Sequence, residues 1–190
     1  DGSADYYMKG YIDEFTISKS SGGTTTIIDS SPSNHTCTPV GTAHIVTSPT
    51  KFGAASWNTG ALALDGDSDY VTVPDSADFD FGTGDFTWDT WFRLNSYTGL
   101  SREVIFGGGT GASVCWMLVI LQNYGVDSSL IVYDTEHTGI DFFTTNPLVN
   151  DTWYHIAVVR SGNNLMVFLD GVQQGATTDV TGRSYDRDEE

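Results

Sequence analysis

Residues 86–94 alternate: Phe86, Trp88, Thr90, Phe92 and Leu94 fall on one side, with Thr87, Asp89 and Arg93 on the other. A period of two sends successive side chains to opposite faces of an extended strand, so such a segment buries one face only as part of a sheet. The same period returns in Gly10–Ser18. There Tyr11, Phe15 and Ile17 share a face with Asp13, a polar break that places this residue near a sheet end or a polar partner. Trp153–Arg160 and Leu165–Leu169 read as two strands joined by Ser161-Gly162-Asn163-Asn164, residues that tolerate the positive φ of a tight hairpin, and Asp170-Gly171 marks a further turn. Cys115–Leu121 and Leu130–Tyr133 are short apolar runs suited to strands buried on both faces. No segment has the periodicity of an amphipathic helix.

Composition agrees. The 190 residues hold 24 Thr, 21 Gly and 20 Asp against only 5 Glu and 3 Lys, so helix formers are scarce and turn and strand formers abundant. Hydrophobic residues at 39% suffice for a core, which sets the acidity apart from that of a disordered chain. The expected fold is an all-β, antiparallel two-sheet sandwich in one domain. A net charge of −17 would repel phosphate backbones and argues against nucleic-acid partners. The longest apolar run, Cys115–Leu121, is too short for a membrane-spanning helix. Acidic, Thr- and Gly-rich β-proteins suit an extracellular setting. Cys37 and Cys115 form either one disulfide or two buried thiols, and their spacing does not choose between these.

The order of segments carries a resemblance. Lys51-Phe52-Gly53-Ala54-Ala55 is followed by Ala61–Val71, Val73-Pro74-Asp75-Ser76, Gly84-Asp85-Phe86-Thr87-Trp88, Trp153–Val158 and Phe168–Val172. In this order the chain resembles the concanavalin A-like, laminin-G-like jelly-roll family over about residues 28–182. The resemblance implies the jelly-roll form of the same sandwich. It also implies that a segment like Gly10–Ser18 should come last and close a sheet, whereas here it comes first. The residues after Gly182 are too charged to supply a buried closing strand.

The chain therefore divides into an N-terminal strand segment at 1–18, a linker at 19–23 and a laminin-G-like sandwich at 24–190. Three arrangements follow. The strand folds back into its own sandwich as a circular permutation, or it inserts into the next copy and builds a head-to-tail polymer, or it ends a preceding module of a tandem array. In the first two, Tyr11, Phe15 and Ile17 enter the core as the residues of the closing or donor strand.

Chemistry is sparse by comparison. Related jelly-rolls include glucan hydrolases that need Glu-x-Asp-x-x-Glu on one strand; Tyr11-Ile12-Asp13-Glu14-Phe15 lacks both flanking glutamates, and Glu103 and Glu136 stand apart from other carboxylates. No catalytic residue is assigned. His35, His44, His137 and His155 lack zinc-ligand spacing and are read as packing residues. Asp65-Gly66-Asp67-Ser68-Asp69 places oxygens at alternate positions like a calcium loop, without the glutamate an EF-hand has at its twelfth position. A turn is the preferred reading, with calcium held by Asp65, Asp67 and Asp69 as the alternative and no cofactor required. Asp75, Asp78 and Asp80 read as a solvated loop. Tyr97, Tyr124 and Tyr133 lie in or near loops and are the candidate sugar-binding aromatics, while Asn34 and Asn150 sit in Asn-x-Thr acceptor triplets.

The leading expectation is a non-enzymatic, extracellular structural or adhesive subunit on a cell surface, in a secreted filament or on a virion. Its partners would be copies of itself, joined by the exchanged N-terminal strand. The alternative is a carbohydrate-binding module of a phage tail or secreted protein, with glycans as partners and the strand folded into its own sandwich.

Overall fold

The computed structural model describes residues 9–13, 27, 33–46, 60–74, 76–95, 103–109, 115–122, 129–133 and 148–185, with backbone alone in 9–13, 115–122 and 129–133. Twelve strands lie in these segments: β1 (Lys9–Asp13), β2 (Thr38–Val40), β3 (His44–Val46), β4 (Ala61–Asp65), β5 (Tyr70–Thr72), β6 (Phe86–Leu94), β7 (Glu103–Gly109), β8 (Cys115–Gln122), β9 (Ser129–Tyr133), β10 (Trp153–Ser161), β11 (Asn164–Leu169) and β12 (Val172–Asp179). One turn of 3-10 helix, Ala77–Phe79, is capped by Ser76, whose hydroxyl accepts the Asp78 N–H.

The main sheet runs β12-β11-β10-β6-β1-β4-β3, with β2-β5 and β7-β8-β9 as smaller sheets. Every described pairing is antiparallel. One face of the main sheet is built from the alternate residues foreseen in 86–94: Phe86, Phe92 and Leu94 are buried, as are Leu62 and Leu64 of β4, Ile156 and Val158 of β10, and Leu165 and Val167 of β11. Each such side chain, fully buried, contributes roughly 1.5–3 kcal/mol. Ile105 joins the same cluster from β7. It lies where the β7–β8 register shifts between Val104 and Phe106, and this bulge delivers it to the core. The antiparallel sandwich expected from the sequence is present.

Tight turns occur where the sequence marks them. Asp170 and Gly171, at φ 49° and 76°, make the β11–β12 turn, and Gly162 at φ 58° lies between β10 and β11. Gly60 meets a different need. A Cβ there would lie within 2.9 Å of the Val46 carbonyl oxygen, so only glycine lets β3 approach this closely.

The N-terminal segment differs from expectation in two respects. First, β1 pairs on both sides within its own chain, with β4 (Tyr11 opposite Ala63, Ile12 opposite Leu62) and with β6 (Ile12 opposite Phe92, Asp13 opposite Trp91). The sequence reading favoured exchange between copies; here the partner strands are intramolecular. Second, the row shared with the buried Leu62 and Phe92 belongs to Ile12, and Tyr11 falls in the row of Ala63 and Arg93 on the opposite face. Directly opposed residues of an antiparallel ladder lie on one face, so by register position 11 shares its row with Ala63 and Arg93 and position 12 shares the buried row. The described part of the strand is Lys9–Asp13, and Phe15 and Ile17 lie outside the described residues.

Beyond β12 the described chain holds an isolated bridge and no further strand, yet one of its side chains enters the core. Tyr185 is fully buried and forms a bridge with Gly82, giving its N–H to the Gly82 carbonyl at 2.9 Å and accepting the Phe81 N–H at 3.0 Å. Beneath it lies Arg160, a buried guanidinium that donates to the carbonyls of Gly162, Gly82 and Arg183 at 3.1, 3.1 and 2.9 Å and faces the Tyr185 ring at 5.3 Å. Burial of this β10 charge is offset by three backbone carbonyls, one of them the tail's Arg183, and by the Tyr185 ring.

Candidate functional site

The second face of the main sheet carries the polar and aromatic residues that the core excludes. β6 presents Asp89, Trp91 and Arg93 at alternate positions, and β10 presents Trp153 and His155. Register sets these beside one another: His155 opposite Trp91, and Trp153 opposite Arg93. The His155 and Trp91 rings lie 5.0 Å apart, inclined at 47°, and His155 Nε2 is 3.4 Å from Asp89 Oδ1. Arg93 Nη2 donates to Asp151 Oδ1 at 2.7 Å.

Two turns fix this geometry. Asp151, at φ 62°, gives its N–H to the Leu94 carbonyl at 2.7 Å, which pins the 150–151 turn to the end of β6. Asp170 accepts the His155 N–H at 2.8 Å, so the β11–β12 turn anchors the start of β10. Both carboxylates of the pairs reach solvent, with Asp89 at 45% and Asp151 at 64% side-chain exposure, while His155 at 27% and Arg93 at 17% sit lower in the sheet. The result is a floor of rings with carboxylate acceptors on its rim. Ring faces stack on the apolar faces of a flat ligand, carboxylate oxygens accept O–H donors, and guanidinium and imidazole N–H groups donate.

The residues singled out in the sequence lie elsewhere. Asp69 is 2% exposed, and its carboxylate accepts the Thr42 N–H, the Thr42 hydroxyl at 3.0–3.1 Å and the Asp65 N–H at 3.0 Å. Asp65 Oδ1 in turn accepts the N–H groups of Asp67 and Ser68 at 2.9 and 3.3 Å. The Asp67 N–H, foremost among several hydrogen bonds, holds the Asp65 carboxyl below its ordinary value of 3.8. These oxygens accept donors from the loop and its neighbour, which is the geometry of a stapled turn. Among the described residues, no group of three or more His, Cys, Asp or Glu is arranged to hold a metal ion.

Tyr97 and Tyr124 lie outside the described residues, and Tyr133 ends β9 in the three-stranded sheet, away from Trp91 in the pairing. Asn34 and Asn150 are exposed. The Cys37 sulfur is 4.0 Å from the His35 carbonyl oxygen, and Cys115 opens β8. His35 is tied to the 3-10 turn by Asp78 at 3.2 Å and by the Phe79 ring at 4.9 Å, a packing role like the one expected of it.

Sequence reasoning passed over the Asp89–Trp91–Arg93 row and assigned His155 to packing. The available signal was Trp91, an aromatic out of phase with its strand's buried face, opposite a second strand with Trp153 and His155 in the same phase.

A laminin-G-like model of the concanavalin A-like lectin/glucanases superfamily matches residues 65–189. The chain belongs to this family. Its match covers β6, β10 and the turns that hold Asp151 and Asp170, which together carry the described cluster, and leaves β1 outside. The chain has no significant match among curated proteins or among solved structures. Family membership supports a lectin-like or adhesive module, in a superfamily that contains both enzymes and non-enzymes. Among the described residues no helix is long and apolar enough to cross a membrane.

Proposed function

We propose that this chain is a non-catalytic, glycan-binding module acting outside the cell, with its N-terminal strand folded into its own sheet. The observation that carries the reading is the Trp91–His155 ring pair, bordered by Asp89 and by the Arg93–Asp151 pair on the face of the sheet opposite the core. Rings beside paired carboxylate and guanidinium groups suit a polyhydroxylated ring, which offers an apolar face and a rim of hydroxyls. Adhesion is then adhesion to a glycan. The intramolecular seat of β1 argues against a fibre built by strand exchange, because a tethered strand competes for its slot at high effective concentration.

Affinity electrophoresis through gels containing laminarin, xyloglucan or galactomannan tests this. At least one polysaccharide should retard the protein, and Trp91→Ala should abolish the retardation while leaving the thermal midpoint near that of the wild type. Migration unaffected by every gel, or retardation indifferent to Trp91→Ala, would sink the reading.

A further inference from the structure

Resting on that reading, we infer that the N-terminal strand supplies part of the glycan-binding face, with Tyr11 and Asp13 as further ligand-contacting residues. The inference comes from register. Asp13 takes the position opposite Trp91, whose other neighbour is His155, so one row across three strands reads His155–Trp91–Asp13. The adjacent row reads Trp153–Arg93–Tyr11–Ala63. Neighbouring strands lie about 4.8 Å apart, so β1 widens the platform by one strand, from roughly 5 to 10 Å between its outer strand axes. That extra width matters because β10 and β6 alone expose a strip only two strands wide.

The chemistry of the added positions matches that of the site. Asp13 holds the register position opposite Trp91, on the strand across from β10, and Asp89 already supplies a carboxylate on β6. Tyr11 adds an aromatic residue with a hydroxyl in the row of Trp153 and Arg93. The alternate positions behave differently: Gly10 and Ile12 lie in rows with Leu64, Leu94, Leu62 and Phe92, all buried. One short strand therefore divides its positions between core and platform. Because the family match starts at residue 65, this part of the platform lies outside the family's matched segment.

The experiment compares Tyr11→Ala, Asp13→Asn and Ile12→Ala in the full chain, reading laminarin, xyloglucan and galactomannan affinity together with the thermal midpoint. Asp13→Asn is isosteric and leaves the backbone ladder in place. Tyr11→Ala and Asp13→Asn should each weaken binding about tenfold with little change in midpoint, as expected for loss of one charged acceptor or one stacked ring. Ile12→Ala should lower the midpoint and leave the affinity of the folded protein unchanged. Wild-type affinity in both Tyr11→Ala and Asp13→Asn, with Trp91→Ala abolishing binding, overturns this inference and leaves the glycan reading standing. Loss of affinity that only tracks a lowered midpoint, as in a folding defect, also overturns it. Failure of Trp91→Ala to matter, or of any polysaccharide to bind, removes the glycan reading and this inference with it.

Discussion

Asp170 and His155 hold each other's backbone: the His155 N–H donates to Asp170 Oδ1 at 2.8 Å, and the Asp170 N–H returns a bond to the His155 carbonyl at 2.8 Å. A turn carboxylate thereby extends the β10–β11 ladder by one pair beyond Leu169–Ile156, at the residue whose ring lies tilted against Trp91.

Asp170 also sits at φ 49°, where Asn is tolerated and Ala is strained. Asp170→Ala should destabilise the fold by about 1–3 kcal/mol, from the lost acceptor and the strained turn together. Asp170→Asn keeps an acceptor oxygen and should cost well under half as much. Urea unfolding of the two variants checks this, and equal losses would contradict the shared role of bond and turn.

The Asp69 staple predicts stability without a metal. Asp69→Ala strands the N–H groups of Thr42 and Asp65 and should cost about 2–4 kcal/mol. EDTA should leave the thermal midpoint unchanged, since a bound cation would otherwise stabilise by mass action. A calcium-dependent midpoint that Asp67→Ala abolishes would restore the metal reading of this loop. Gly41, at φ 73°, belongs to the same contact: a Cβ there would collide with Asp69 Oδ1, so Gly41→Ala should disturb the loop as well.

Acid should act on the loop through Asp65. Its carboxyl lies below the ordinary 3.8 in the folded chain, chiefly through the Asp67 N–H. A depressed folded value means a contribution that is complete above the unfolded value and is lost as pH falls through the folded one. The midpoint difference between wild type and Asp65→Asn should therefore be constant above about pH 5 and shrink below about pH 4. A difference that does not vary with pH would show that the loop gains nothing from the charge.

Arg160 predicts a large loss at a position whose strand pattern asks for an apolar residue. Arg160→Ala leaves the carbonyls of Gly82, Gly162 and Arg183 without this donor and opens a void beneath Tyr185, at a cost of about 3–4 kcal/mol. Arg160→Met restores volume but not the donors and should recover only part of that. Full recovery would mean that packing, and not carbonyl solvation, holds the tail.

These residues also mark how far the sequence can be read. The alternation of Phe86 to Leu94 foretold both the strand and its buried face, and the Ser161–Asn164 and Asp170-Gly171 turns fell where their residue types require. Local pattern suffices there, because strand period and positive φ are local properties. The orientation of β1 was not legible in the same way. Tyr11 outweighed Gly10 and Ile12 in hydrophobic pattern, yet register with Leu62 and Phe92 puts Ile12 in the core row. Asp13 held the clue: a carboxylate in phase with Tyr11 marks the outer row. Similarly, Arg160 falls in the buried phase of its strand, and only the carbonyls brought to it by Gly82 and Arg183 make its burial intelligible. The platform was hidden because it exists only once β6 and β10 are side by side, with Trp91 and His155 far apart in the chain.

The place of β1 between β4 and β6 has a consequence for the order in which the protein is made. It is the first of the twelve described strands in chain order, yet both neighbours are synthesised well after it, β6 after four intervening strands. Until Arg93 and Ala63 are available it can form neither ladder, and the half-sheets β12-β11-β10-β6 and β4-β3 each keep an open edge facing the gap. Pairings this distant in sequence close slowly, and open edges are where nascent chains associate wrongly. The gap between β4 and β6 is thus filled by a strand made well before either of its neighbours.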